Sequence, residues 1–429
     1  MLASHSTLRL VDVSVKLTMP QRGFRIAMRL AIFSDQLYAF DGKAFSTDET
    51  YVLFPLSFTE CFEQLVFLGR LHRKAERKPY VLPQPGTAFC ELPYYERLCD
   101  LWRLGRRIYP EVRRIIRENA SSWDAVWLCG PNPLSIVMAE ECDRLGVPFF
   151  LVIRQNLADQ MKFGSRGIRR ILLTAAARRL EKRFRTLAQG RTVFLVGAEL
   201  ADFYRRATRK VHVHFSASIS REELQRPCSS LHSREPSRLL AVGRLSSEKG
   251  FHHLLDALAI LSCRDVDWVL DLIGKGCEEP ALRRQASALG LTDRVRFHGY
   301  VPFGPKLQSF FDQARVFVLP SLPGEGFPQV LCQAFTYGVP SIATTVAGIP
   351  HVIRDKLEAL LVPPGDPSAL AQAIELLLRS TQLQEQLQLN GRTWMRNFTI
   401  EVQRERTFEI IQREVLRNPC GGVCRQDGS

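Results

Sequence analysis

With 429 residues the chain is too long for one ordinary hydrophobic core, and its 45% apolar and 24% charged residues have the balance of a globular protein. No run approaches the roughly 18 apolar residues that a spanning helix needs, which excludes a helical membrane span. A formal net charge of +14 asks for an anionic partner, whether nucleic acid, a membrane surface or a phosphorylated substrate.

Residues 1–23 read as an N-terminal extension, and Met28, just ahead of a strand-like run, stands as an alternative start. A first alternating series follows over residues 24–217, the pattern of βαβ units and parallel sheets. Strands are predicted at 25–33, 52–55, 64–68, 125–128, 149–153, 193–196 and 211–215, with helices at 95–119, 133–145 and 168–188. Two of these helical segments are rich in arginine. In the second, Ile168, Ile171, Leu172, Ala175 and Leu180 share a face, which predicts an apolar side packed inward and a basic side outward. That basic side is either a solvated surface or an attachment to an anionic membrane. No nucleic-acid-binding motif accompanies it, and nucleic acid is not an expected partner.

A polar stretch at 218–237, holding Arg226-Pro227 and Glu235-Pro236, reads as a linker. A second alternating series occupies 238–395. Its predicted strands are 238–242, 268–273, 295–298, 316–319 and 341–344, and its helices include 251–261, 280–288 and 328–337. A final helical segment, 396–418, is expected to pack back on the N-terminal domain, and 419–429 reads as a tail. The 11 cysteines are scattered without framework spacing. Cys129 and Cys332 read as small buried hydrophobes, the pair Cys420 and Cys424 lacks further ligands, and a reducing, cytoplasmic setting is the simplest expectation.

Two segments carry chemistry. The first, Val242-Gly-Arg-Leu-Ser-Ser-Glu-Lys-Gly250, runs from a strand into a helix. Gly243 permits a tight turn and Gly250 stands at the helix entrance, so Arg244 and Lys249 sit beside helix amides, a geometry suited to a diphosphate. The loop has neither the Walker lysine spacing nor GxGxxG, which argues against nucleotide hydrolysis and nicotinamide chemistry. In the second, Gly324 and Gly326 flank Glu325 after a strand, Pro328 opens a helix, and Gln333 projects from that helix toward the same cleft. Asp265-Val-Asp267 has the DxD form of a cation site but precedes a strand, and reads as a solvated loop.

Together these segments resemble the retaining, GT-B-fold glycosyltransferases of family four (glycosyl transferases group 1). The matching elements are the loop 243–250, Pro320-Ser321, Glu325-Gly-Phe-Pro328 leading to Gln333-Ala334, Gly338-Val-Pro340, Val346-Ala-Gly-Ile-Pro-His351 and Leu361-Val-Pro-Pro-Gly-Asp366. The resemblance implies an α/β chain of two Rossmann-like domains facing each other across a cleft. It implies that Arg244 and Lys249 hold the diphosphate of a UDP- or GDP-sugar, with Gly243 in the same loop. Glu325 would touch the hydroxyls of the transferred sugar, with Gly326, Phe327 and Pro328 beside it, and Gln333 would take the ribose. Glutamate is usual at that last position, so a non-catalytic sugar-nucleotide-binding homologue is the alternative to a hexosyltransferase. No metal and no other cofactor is implied.

On the N-terminal side the resemblance places Gly42, in Asp41-Gly-Lys43, opposite the donor phosphates, where a plain turn is the other reading. Arg154, with Gln155, follows a strand at the edge where α/β clefts form. The acceptor is expected to be a polysaccharide, oligosaccharide or lipid-linked intermediate, which gives an anionic membrane's inner face a use.

Overall fold

Short apolar runs without alternation are the mark of strands covered on both faces, and 149–153, 193–196, 238–242, 316–319 and 341–344 form strands over those very residues. The computed structural model describes residues 25–72, 77–96, 98–154, 167–197, 200–215, 218–234, 237–323, 327–346 and 348–416. Their strands, in chain order, are β1 (Ile26–Phe40), β2 (Phe45–Thr47), β3 (Phe62–His72), β4 (Tyr80–Val81), β5 (Thr87–Leu92), β6 (Ala125–Gly130), β7 (Phe149–Ile153), β8 (Val193–Val196) and β9 (Val211–His214). Then come β10 (Arg238–Val242), β11 (Val269–Ile273), β12 (Val295–Phe297), β13 (Val316–Leu319), β14 (Ser341–Thr344) and β15 (Leu360–Val362).

The first nine strands form one sheet around a parallel centre, β5-β3-β1-β6-β7-β8-β9. The last six form a wholly parallel sheet ordered β12-β11-β10-β13-β14-β15. Helices cover both faces of each, as crossovers between parallel strands require. Parallel pairing of β1 with β6 ends at Phe33–Leu128. Beyond it β1 bends at Asp35, whose φ is 53°, and continues into an antiparallel hairpin with β2, which pairs β4.

Two expectations change here. Residues 52–55 are not a strand: Val52 ends the tight turn Thr50–Val52, and 53–55 belong to a short helix, Leu53–Ser57. A short apolar run does not reveal its period, and this one buries Phe54 edge-on to Phe58 and Trp127 at ring distances of 5.5 and 6.2 Å. Met28 lies inside β1 rather than ahead of it, since Ile26 already pairs with Phe62.

After the second sheet the chain returns to the first. The helix Ile400–Ile411 and the wide turn Gln412–Leu416 place Ile411 and Val415 in the core of the first sheet. Glu414 accepts from Thr192 Oγ1 at 3.1 Å and lies 2.9 Å from His212 Nε2, and Arg404 pairs with Glu60 at 2.7 Å. The neighbouring His214 is buried without charge, its pKa pushed down to about 3 by desolvation. Phe303, in a loop of the second sheet, packs against cores of both sheets. Tyr300 lies close enough to Tyr80, Asp48 and Glu49 for their charges to raise its pKa, after burial itself. The loops at the two sheets' carboxyl edges therefore face each other across a cleft.

Candidate active site

β10 ends at Val242, and the loop that follows is tied down on three sides. Gly243 N–H donates to Ile273 at 2.9 Å and Leu245 N–H to Lys275 at 3.0 Å, so the loop lies along the exit of β11. Leu245 is fully buried and anchors the middle of the loop. Ser247–Lys249 form one tight turn that ends at Gly250, whose φ of 66° starts the helix Phe251–Ser262. The approach to β13 is closest of all: a Cβ on Gly250 would lie 2.0 Å from the Pro320 carbonyl oxygen. Leu322 N–H then donates to Glu248 at 2.7 Å. Two segments 70 residues apart in sequence thus become one surface at the carboxyl edge of the sheet, the edge where α/β proteins bind ligands.

Arg244 is exposed on this loop, and Lys249 is half-buried beside it, against Gly243 and Phe251. Burial pushes the Lys249 ammonium down to about 8; the Arg244 charge lowers it further while Glu248 acts the other way. Two cations that repel one another at a helix entrance are an arrangement suited to an anion. Ser321, next to Pro320, is held through its carbonyl by Thr344 Oγ1 at 2.6 Å, and its own buried hydroxyl has no partner among the described residues.

The other expected residues divide. Phe327 is buried against Phe215 and Trp394, so its side chain belongs to the core. Pro328 precedes the helix Gln329–Thr336, and Gln333 sits within that helix, buried at 6% exposure. Glu325, Gly326 and Ala347 lie outside the described residues, as do Gln155, Cys420 and Cys424. Cys129 and Cys332 are free and buried, and burial pushes the Cys332 thiol up to about 12. Asp265 and Asp267 precede β11, at the opposite edge of the sheet from Gly243.

On the facing domain, Gly42 has a φ of 90° and forms the tip of the β1–β2 hairpin, where Asp41 Oδ1 accepts from Lys43 and Ala44 amides. It stands well beyond Phe33, where the pairing of β1 with β6 ends. Arg154 is at the carboxyl end of β7, half-buried, its guanidinium 3.8 Å above the Tyr51 ring.

Sequence reasoning missed two features. Gly274-Lys275-Gly276, directly after β11, meets the loop 243–250 so closely that a Cβ on Gly274 would lie 1.8 Å from Gly243 O and one on Gly276 2.1 Å from Leu245 O. Lys275 Nζ lies 5.1 Å from the Tyr300 ring centre, on the cleft side. A glycine-lysine-glycine run after an apolar strand was the available signal. The second is the Asp35 carboxylate at the bend of β1, held by Tyr95 Oη, by Asn132 Nδ2 at 2.8 Å and by Arg70 Nε at 3.2 Å. Burial raises its pKa against the pull of Arg70. With its oxygens so engaged, it fixes the strand exits on this side of the cleft.

Residues 236–380 match the model of the family described as glycosyl transferases group 1. A phosphatidyl-myo-inositol mannosyltransferase of Mycobacterium leprae is 35% identical over 181 residues, 42% of this chain and 45% of that protein. The match thus spans about half of the curated relatives' length or less. Likeness in structure extends further. Sucrose-phosphate synthase of Thermosynechococcus elongatus superposes with a TM-score of 0.67 at 18% identity, covering 90% of this chain and 98% of that one. Anabaena HepE, solved in complex with UDP-glucose, gives 0.64 at 18% identity, covering 90% and 100%. Residues 236–380 thus resemble the glycosyl transferases group 1 family, and the chain as a whole shares with the solved structures a GT-B fold of two facing α/β domains.

Proposed function

We propose that the chain is a retaining glycosyltransferase that moves a hexose from a nucleoside-diphosphate sugar to a polysaccharide, oligosaccharide or lipid-linked acceptor. The observation that carries this reading is the cation pair Arg244 and Lys249, set on a loop wedged between Pro320 and the Gly274–Gly276 turn. The naming of the mycobacterial relative as a mannosyltransferase and the UDP-glucose held by HepE support the same class of donor.

As the bond from the sugar's anomeric carbon to the diphosphate oxygen breaks, negative charge grows on the leaving group. Arg244 and Lys249 stabilise it in a cleft that excludes water, and no metal is needed for that task. The acceptor hydroxyl attacks from the face the diphosphate leaves, which retains configuration, and its proton passes to the departing phosphate oxygen. Glu325 holds hydroxyls of the transferred sugar, with Gly326 and the Phe327 amide beside it. Gln333 offers its carbonyl to a ribose hydroxyl. Arg154 and Gly42 line the facing, acceptor side. The reaction runs in the cytoplasm, at the inner face of the membrane where the acceptor is lipid-linked.

Calorimetry with UDP and GDP, followed by turnover of a sugar-nucleotide panel, tests the reading. Glu325→Ala is expected to lose turnover while keeping nucleotide affinity within about threefold, since sugar contacts and diphosphate contacts are separate. Absence of binding to either nucleotide sinks the proposal. Nucleotide binding with no turnover on any donor favours the non-catalytic reading that glutamine at Gln333 motivates.

The depressed Lys249 pKa gives a pH test. A bound diphosphate raises that pKa again, so above pH 8 binding takes up a proton and affinity falls as pH climbs through about 8. Without ligand the sign is opposite: between the depressed value and the ordinary one the unfolded chain holds more protons, so this group's contribution to stability rises with pH over that window. Calorimetry near pH 9 in buffers of different ionisation enthalpy measures the uptake; zero uptake removes Lys249 from the diphosphate.

A further inference from the structure

The helix Gly167–Leu187 turns outward the residues that its apolar pattern predicts to be inside. Ile171 and Leu172 are 66% and 65% exposed, while Thr174, Ala177, Phe184 and Ala188 face the core. At about 100° per residue, Ile171, Leu172, Ala175, Arg178, Arg179 and Lys182 fall on one exposed stripe. It is apolar near the helix start and cationic further along. The helix Leu101–Asn119 repeats the pattern, with Leu104 42% exposed among the exposed Arg103, Arg106 and Arg107.

These two helices flank Pro133–Leu145, whose Glu140 takes Arg113 from one at 2.6 Å and Arg183 from the other at 3.0 Å. The three therefore present one outer face. Each of the two basic helices follows a strand, β5 or β7, and leads back toward the start of the next parallel strand. Their N-termini, with Leu104, Ile171 and Leu172, accordingly stand at the carboxyl edge of the sheet, at the lip of the cleft.

We propose that this face docks the chain on an anionic lipid bilayer. Leu104, Ile171 and Leu172 enter the boundary between headgroups and acyl chains, and Arg106, Arg178 and Arg179 lie over lipid phosphates. Charge complementarity alone would also admit a nucleic acid; exposed branched aliphatics leading into the cationic stripe select the bilayer, because a phosphate backbone leaves them uncovered. The inference rests on the glycosyltransferase reading only for what the bilayer delivers, an acceptor hydroxyl at the cleft lip. Lipid binding itself is measured without turnover.

Sedimentation of the full chain with phosphatidylcholine vesicles, with and without phosphatidylglycerol, tests it. Binding is expected to the anionic vesicles alone and to weaken with salt. Ile171→Glu/Leu172→Glu and Arg178→Glu/Arg179→Glu should each lower apparent affinity by about tenfold or more. Arg284→Glu/Lys306→Glu, the same charge change on the other domain, should stay within about twofold of the parent. Melting curves and UDP affinity, followed in parallel, report folding and the donor site separately, so loss of vesicle binding with both intact is specific to the face. Parental vesicle binding in both face variants overturns the proposal, as does an equal loss in the control. So does tight RNA binding that Ile171→Glu/Leu172→Glu leaves untouched while vesicles are ignored.

Discussion

Lys249→Ala is expected to lower kcat/KM for sugar transfer by about 10²–10³, with the loss mostly in kcat. Lys249 is half-buried against Gly243 and Phe251, so its charge acts through a medium less polarisable than water and counts for more than that of a surface group. In the proposed reaction its role would grow as the leaving diphosphate gains charge, so turnover should suffer more than ground-state binding. Arg244 stands on the same loop but is exposed, and its removal should cost only about tenfold. The ligand-free Lys249→Ala chain should melt at the parental temperature or above, because burying an ammonium works against the fold. Steady-state kinetics on the two variants decide the ranking. A loss for Lys249→Ala no greater than for Arg244→Ala removes the buried cation from its assigned place.

The second domain was the more legible one because its strands are short continuous apolar runs and its loops carry glycines where φ is positive or backbones touch. Gly243 and Gly250 marked the turns of the loop 243–250 for local reasons, and Pro320-Ser321 marked the strand exit it packs on. Lys275 escaped because one lysine between two glycines has no spacing pattern; its importance comes from a contact with Gly243 that only the pairing of β10 with β11 creates. The N-terminal domain was harder to read. The hairpin of β1 and β2 carries β1 past its pairing with β6, with the bend at Asp35 where that pairing has ended and Gly42 at the hairpin tip. In the helix Gly167–Leu187 periodicity told which residues share a side, but the neighbours decide which side is covered, and Ile171 and Leu172 ended outside. Local pattern fixes elements; the register of distant strands fixes sites.

Gly250→Ala tests whether the proposed donor site depends on that register. At φ 66° any residue with a Cβ is disfavoured by about 1–2 kcal/mol, and here the Cβ would also meet the Pro320 carbonyl at 2.0 Å. Neither side yields easily: Pro320 closes the buried strand β13, and the turn Ser247–Lys249 is held through Glu248 to Leu322. Relief of the clash has to push the donor loop away from β13. The cost is expected to reach roughly 3 kcal/mol, a fall in melting temperature on the order of 6–12 °C, with UDP affinity lost alongside. Gly290 provides the comparison, having a φ of 71° and nothing within 4 Å of its would-be Cβ. Gly290→Ala carries the same conformational penalty without the contact, so it should cost about 1 kcal/mol and leave UDP binding alone. The difference between the two variants isolates the closeness of Gly250 to Pro320, and equal melting temperatures with UDP binding retained in both would show that the donor loop keeps its shape without it.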